Sequence, residues 1–378
     1  MKIDSAVNIE DLRRMARRRL PRIAFDYIEG GVEDERCLER NESAFARYPL
    51  LPRYLVDIAR RDLSTTLFER KYALPFGIAP TGLAGLFRAG ADLMLAEAAA
   101  TSNIPFVMSG AATASMEAAA RVAPAHAWYQ LYCARDPKIS EDMIRRARDA
   151  GLAALVLTVD IPINAKRERN IRNGFGLPPR LTAGTIAEAL THPGWIAEYL
   201  RHGQPRFENW APYAGGGNPN LLFAQQSPAT VTWRDLDNFR RLWPRHLIVK
   251  GILHPDDAAR AVEVGVDGIW VSNHGGRQLD QAPAALDALA AIRARVAGRA
   301  ALMLDGGVRR GADIAIALCL GAQFVFVGRA TLYGAAAGGI AGVRRAIKIL
   351  SDELDRVMAQ IGRPSIAQLD ESCLMKTV

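Results

Sequence analysis

The chain has 378 residues, 49% of them hydrophobic, with a formal net charge of +8; this is enough for one large domain or two ordinary ones with sizeable cores. Its basic residues are spread along the chain and do not cluster with aromatics, which argues against nucleic-acid binding. The four cysteines (Cys37, Cys133, Cys319 and Cys373) have no paired spacing and suggest neither a zinc site nor a disulfide framework. The N-terminus has no apolar core of signal-peptide type, and no uncharged apolar run of about 18 residues predicts a spanning helix.

In chain order, Asn8 predicts a helix cap and a helical pattern runs to Leu20. The basic run Arg13 to Arg22, interleaved with Leu12, Met15 and Leu20, reads as the solvated face of that helix. Pro21 opens a second helix through Ile28, stopped by Gly30-Gly31 and carrying the phenol of Tyr27. Residues 1–70 thus read as a helical and irregular lead-in. From Ala73, short β-type runs alternate with Ala-rich helical segments. Strands are predicted at 74–79, 105–109, 127–132, 154–159, 246–250, 268–272, 301–304 and 324–327. The matching helices are predicted at 91–100, 115–122, 140–150, 233–242, 255–264, 284–296, 312–320 and 343–361. Eight β–α units with strands apolar on both faces predict an α/β fold of the (β/α)8 TIM-barrel type. The barrel spans 73–361 of a single domain, 1–378, with a long insertion at 161–230 after the fourth strand. An open doubly wound sheet would carry a glycine-rich dinucleotide fingerprint after its first strand, and Ile78-Ala79-Pro80-Thr81-Gly82 is not one.

A barrel places its chemistry at the C-terminal ends of the strands. Those positions here are Pro80-Thr81-Gly82, Ser109, Gln130 and Tyr132, Thr158 and Asp160, Lys250, His274, Asp305-Gly306-Gly307 and Gly328-Arg329. Two or three of these could be satisfied buried groups; a whole polar ring is too many. The densest cluster is Val271-Ser272-Asn273-His274-Gly275-Gly276-Arg277-Gln278-Leu279-Asp280. A surface turn needs the glycines but not His, Arg and Asp around them. Histidine titrates near working pH and suits proton abstraction. Arginine presents a planar fork that matches a carboxylate. After the seventh and eighth strands, Asp305-Gly306-Gly307-Val308-Arg309 and Gly328-Arg329 combine close backbone approach with positive charge, where barrels commonly hold a phosphate. A phosphorylated group beside a base and an anion clamp is implied.

These residues carry a resemblance that covers nearly the whole chain. Phe25-Asp26-Tyr27-Ile28-Glu29-Gly30-Gly31, Ala79-Pro80-Thr81-Gly82, Tyr129-Gln130-Leu131-Tyr132, Thr158-Val159-Asp160, Val249-Lys250-Gly251, the His274-Gly275-Gly276-Arg277 motif and Asp305-Gly306-Gly307 resemble the FMN-dependent 2-hydroxy acid dehydrogenase/oxidase family. Arg167-Glu168-Arg169 and Arg201-His202-Gly203 resemble its mandelate-oxidising members most. The resemblance implies FMN as cofactor, no metal, and oxidation of an (S)-2-hydroxy acid to a 2-oxo acid. It makes His274 the base, with Asp160 pairing to its imidazole, and Arg277, Arg167 and Tyr27 the substrate-carboxylate site. Tyr132 would bond the substrate hydroxyl or carboxylate, and Lys250 would sit by the flavin N1/O2 edge. Ser109, Gln130 and Thr158 would bond the isoalloxazine, Pro80, Thr81 and Gly82 would lie against it, and Asp305, Gly306, Gly307, Arg309, Gly328 and Arg329 would hold ribityl and phosphate. A homotetramer is implied as well.

Two departures bear on the substrate and the electron acceptor. Short-chain oxidases of the family carry a bulky Trp where this chain has Ser109-Gly110-Ala111-Ala112. Either the small residues leave room for a mandelate-like side chain, or another loop fills the space. Gly82 stands where oxygen-using relatives tend to have Ala, which points to a quinone or another carrier as acceptor. The insertion carries seven Lys/Arg, Arg180 among them, against four Glu, and the apolar, aromatic stretch Pro193 to Leu200. In the dehydrogenases of the family the corresponding segment contacts the membrane. Peripheral attachment to the cytoplasmic side of the inner membrane is therefore expected, with an active-site lid as the alternative. A phosphorylated-sugar isomerase or lyase, or an FMN enzyme of the isopentenyl-diphosphate isomerase kind, would leave the two-Arg clamp beside His274 unexplained.

Overall fold

The computed structural model describes residues 2–176 and 182–375. A two-stranded antiparallel hairpin, β1 (Thr65–Leu67) and β2 (Arg70–Tyr72), precedes eight parallel strands. These are β3 (Phe76–Ile78), β4 (Phe106–Met108), β5 (Ala127–Leu131), β6 (Ala154–Thr158), β7 (His246–Ile252), β8 (Gly268–Val271), β9 (Ala301–Leu304) and β10 (Phe324–Val327). They close in sequence order, β10 pairing with β3, so no strand edge is left open. The barrel is the one predicted from the strand pattern, and the predicted strands overlap the observed ones throughout.

Side chains fill the barrel. Trp128, Trp270, Met303, Phe324 and Phe326 are buried inside it, with the Trp270 and Phe326 rings stacked 4.0 Å apart. Burying side chains of this size is worth roughly 2–3 kcal/mol each. The lead-in is not wholly helical or irregular as expected. The β1–β2 hairpin lies under the N-terminal mouth, where Leu67 and Tyr72 join this interior cluster and the Phe68 ring stacks 4.4 Å from His246. Its turn, Phe68-Glu69, takes positive φ at both residues (50° and 60°). Such turns normally announce themselves through Asn or Gly, so the sequence carried no signal for this one.

The insertion is folded. It contains helices Glu168–Arg172, Ala183–Leu190, Pro193–His202 and Pro219–Gln226; Arg180 lies outside the described residues. Glu198 holds Arg19 and, at 3.3 Å, Arg88, while the Glu188 carboxylate accepts from the Arg22 backbone at 2.8 Å. Part of the basic run therefore docks the insertion and does not simply face solvent. Trp195, expected on an outward aromatic face, points inward: it is buried and its Nε1 donates to Leu86 O at 2.7 Å. In helices Ala183–Leu190 and Pro193–His202 the large hydrophobics that face outward are Ile186, Leu190 and Leu200. Among the described residues no helix is long and apolar enough to cross a membrane.

Candidate active site

Alternation along the strands turns apolar side chains into the barrel floor and polar ones into the layer above it. On β7, Lys250 Nζ lies 5.4 Å over the Trp270 ring. It donates to Ser272 Oγ at 2.7 Å and pairs with Asp305 Oδ2 at 3.1 Å. Ser272 Oγ in turn donates to Asp305 Oδ1 at 2.5 Å and accepts from the His274 backbone at 3.0 Å. One hydroxyl thus joins the ends of β7, β8 and β9. Sequence reasoning gave Ser272 no role, although the inward Trp270 two positions earlier points to it.

Across this layer, Gln130 Oε1 accepts from Ser109 Oγ and from the Gly110 backbone, each at 3.2 Å. That network spends the Gln130 amide oxygen, and neither its Nε2 nor Thr158 Oγ1 has a partner among the described residues. Both atoms are buried. Leaving such a group unmet costs about 1–3 kcal/mol, so the pair asks for a polar ligand edge. Ser109 itself sits behind Gln130, where it orients the amide.

His274 follows β8 in the left-handed region, φ 59°, and Gly275 and Gly276 continue it. A side-chain-bearing residue there costs energy and persists because its neighbours hold it. Nδ1 of His274 donates to Asp160 Oδ1 at 2.9 Å, and the Tyr132 hydroxyl lies 3.4 Å from Nε2. Burial pulls the imidazole pKa below its ordinary value, against the opposing pull of Asp160. The ring is therefore neutral near pH 7, with Nε2 as its free base. Burial and the Asp160 charge push the Tyr132 phenol up, so it stays a donor. Asp160 reaches this position because Gly251 lets it: a Cβ at Gly251, φ 102°, would stand 2.6 Å from Asp160 Cβ.

Three arginines converge here with no carboxylate partner among the described residues. Arg277 Nη1 donates to Tyr27 O at 2.8 Å and Gly30 O at 2.7 Å, leaving Nη2 and Nε unspent. Arg167 donates to Arg277 O at 3.3 Å and Gln278 Oε1 at 3.1 Å. Burial, with Arg167 and Arg329 nearby, draws the Arg277 pKa well below its usual value. Such a site calls for an anion. Arg329 donates to Ile28 O, Gly30 O and Gly275 O at 2.9–3.0 Å and keeps two N–H groups. Arg309 points to Glu42 at the rim, 2.8 Å away. Gly306 and Gly307 take φ 102° and 80°, and a Cβ at Gly307 would stand 2.1 Å from Asn41 O, so only glycine fits.

A cavity of about 540 Å³ gathers these groups, within the range of small-molecule sites. Tyr27, Pro80-Thr81-Gly82, Tyr132, Thr158, Arg167, Lys250, His274, Arg277, Asp305-Gly306-Gly307, Arg309 and Gly328-Arg329 all line it. Ser109, Gln130 and Asp160 stand behind that lining. The insertion adds an aromatic wall that sequence reasoning missed: Phe175 lies 4.5 Å from Tyr27, and Phe223 packs 4.7 Å from Phe207 and 5.2 Å from Trp210. Trp210 Nε1 donates to Gly110 O at 2.9 Å and fills the space behind the loop, while Ala111 still faces the cavity.

The FMN-dependent dehydrogenase family model matches residues 16–376. (S)-Mandelate dehydrogenase of Pseudomonas putida is 40% identical over 97% of this chain and 93% of its own length. L-Lactate oxidase of a Nostoc species is 42% identical over 98% and 99%. A crystal structure of the monotopic membrane protein (S)-mandelate dehydrogenase superposes with a TM-score of 0.95 at 39% identity, covering 99% of this chain and all of that one. The unmet buried donors, the glycine cradle and the polar layer fit a flavin nucleotide, and the chain belongs to the FMN-dependent dehydrogenase family.

Proposed function

We propose that this enzyme oxidises an (S)-2-hydroxy acid with a bulky aromatic side chain, of the mandelate kind, to the 2-oxo acid and passes the electrons to a quinone. The observation that carries the reading is the His274–Asp160 pair beside two arginines that have no carboxylate partner among the described residues, in a cavity walled by Phe175, Phe207 and Phe223. Arg277 and Arg167 grip the substrate carboxylate, with Tyr27 beside them. The Tyr132 hydroxyl donates to the substrate hydroxyl or carboxylate. Nε2 of His274 takes the proton, and the Asp160 carboxylate stabilises the cation that forms.

FMN, when bound, supplies the two-electron acceptor chemistry. Gln130 and Thr158, with Ser109 behind them, would hold the isoalloxazine through their unmet donors, and Pro80-Thr81-Gly82 would line its site. Lys250 would supply a fixed cation to balance the charge of the reduced group. Asp305, Gly306 and Gly307 would hold the ribityl chain, and Arg309, Gly328 and Arg329 the phosphate.

A membrane quinone requires a membrane surface. The exposed Ile186, Leu190 and Leu200 of the insertion, among basic residues, support peripheral contact on the cytoplasmic side of the inner membrane. The monotopic nature of the mandelate dehydrogenase neighbour supports it too. Replacing Ile186, Leu190 and Leu200 together by serine should release the chain from the membrane fraction at unchanged flavin occupancy. The working assembly is a homotetramer, measurable by light scattering.

Anaerobic bleaching of the bound flavin tests the function. (S)-Mandelate should bleach it rapidly, glycolate far more slowly, and (R)-mandelate not at all. A preference for L-lactate would keep the chemistry and overturn the aromatic pocket. No bleaching by any 2-hydroxy acid would overturn the function.

A further inference from the structure

One turn of the lead-in, residues 30–35, joins the two segments that carry Arg167 and Arg277. Val32 N donates to Gly276 O at 3.0 Å, beside Arg277, and Glu33 N donates to Lys166 O at 3.1 Å, beside Arg167. Gly30 O accepts from both Arg277 and Arg329. Glu35 closes the turn on itself, Oε1 accepting from Gly31 N at 2.9 Å, while Oε2 holds the guanidinium of Arg169. Arg169 belongs to the five-residue helix Glu168–Arg172, whose N-cap is Arg167.

Two like charges facing one cavity repel, and the proximity of Arg167 helps to depress the Arg277 pKa. A helix of five residues has too few internal bonds to hold Arg167 against that push. Its restraint comes from outside: Asn173 Nδ2 donates to Asp26 at 2.6 Å at the far end, and two residues from the clamp Arg169 is gripped by Glu35, with Asp26 a looser neighbour at 4.0 Å. Glu33 and Glu35 both take left-handed backbone (φ 47° and 64°), so the turn is held in a conformation it would not choose alone. Glu35 does not line the cavity.

Resting on the reading that Arg167 and Arg277 bind the substrate carboxylate, we propose that Glu35 is a positioning residue. Through Arg169 it sets the spacing of the two guanidinium groups that the carboxylate must bridge.

Glu35→Gln tests this, because the amide oxygen can still accept from Gly31 N while the negative charge that holds Arg169 is lost. KM should rise roughly three- to tenfold with kcat within about twofold, since the defect lies in binding shared by ground and transition states. Dissociation of acetate and phenylacetate, followed by perturbation of the flavin spectrum, should weaken by the same factor at wild-type flavin occupancy. Arg169→Gln should match it, and the double variant should be no worse than either single one. Unchanged KM, or a joint loss of kcat and flavin occupancy, would overturn the proposal. Arg167→Met is the control: if it leaves KM and acetate binding unaltered, the carboxylate reading itself fails and the proposal falls with it.

Discussion

Nδ1 of His274 donates to Asp160 at 2.9 Å, and this bond sets two opposing influences on the imidazole. Burial lowers its pKa and Asp160 raises it, with burial the larger. Burial alone would raise the Asp160 carboxyl, but His274 and Lys250 together hold it below the ordinary carboxylate range. Asp160→Asn removes the influence that raises the histidine. The acid limb of kcat/KM, which reports protonation of His274 in the free enzyme, should therefore move to lower pH. Its plateau should drop by about 10²-fold or more as the developing imidazolium loses its counter-charge. A pH profile of the variant checks both, and a limb that moved to higher pH would refute the assignment.

Gly251 is the steric condition for that pair. It takes φ 102°, and an added Cβ would meet Asp160 Cβ at 2.6 Å and Cγ at 2.7 Å. Gly251→Ala combines backbone strain with overpacking, a loss of roughly 2–4 kcal/mol of stability. It should also displace Asp160, so kcat falls in the fraction that remains folded. Thermal melting and active-site-normalised turnover separate the two effects. A variant with wild-type melting and wild-type kcat would show that the close approach is dispensable.

The barrel and most of its polar ring were legible because period-2 strands buried on both faces, alternating with Ala-rich helices, have one common closed solution, and that solution puts strand ends at the site. His274, Lys250, Thr158 and Asp305 could be read from strand position alone. Other features depend on contacts far apart in sequence. Glu35 matters because it meets Arg169, and Phe207 and Phe223 because the insertion folds back over the β4 loop. Gly251 reads as one more glycine until Asp160 is seen against it. The Phe68-Glu69 turn escaped notice because neither residue is of the kind that favours left-handed backbone.

Thr158 offers a test of the cofactor site that is independent of turnover. Its buried hydroxyl has no partner among the described residues. Replacing it by valine in the flavin-free protein removes an unmet polar group, so stability should stay level or rise by up to about 1–3 kcal/mol. The same change removes a donor from the bound flavin, so FMN affinity should fall by roughly five- to tenfold. Melting of the apoprotein and fluorescence titration with FMN measure the two signs separately. A destabilised apoprotein with unaltered FMN affinity would mean that the hydroxyl serves the fold.

On the proposed function, Ala111 limits the room for the substrate side chain. It lines the cavity together with the insertion's Phe207 and Phe223, and its loop is tied down: Leu83 N donates to Ala111 O at 2.8 Å, and Ala111 N donates to Ser109 Oγ at 3.1 Å. Trp210 already occupies the space behind the loop, so a larger residue at 111 cannot retreat and must enter the cavity. Ala111→Trp should therefore lower kcat/KM for (S)-mandelate by roughly 10²-fold, the scale of a lost hydrophobic pocket plus overpacking. Glycolate, which places no side chain there, should be affected only a few-fold. The ratio of the two specificity constants is the measurement, because a general loss of folding or flavin would lower both alike. Equal losses for the two substrates would move the side-chain pocket away from Ala111.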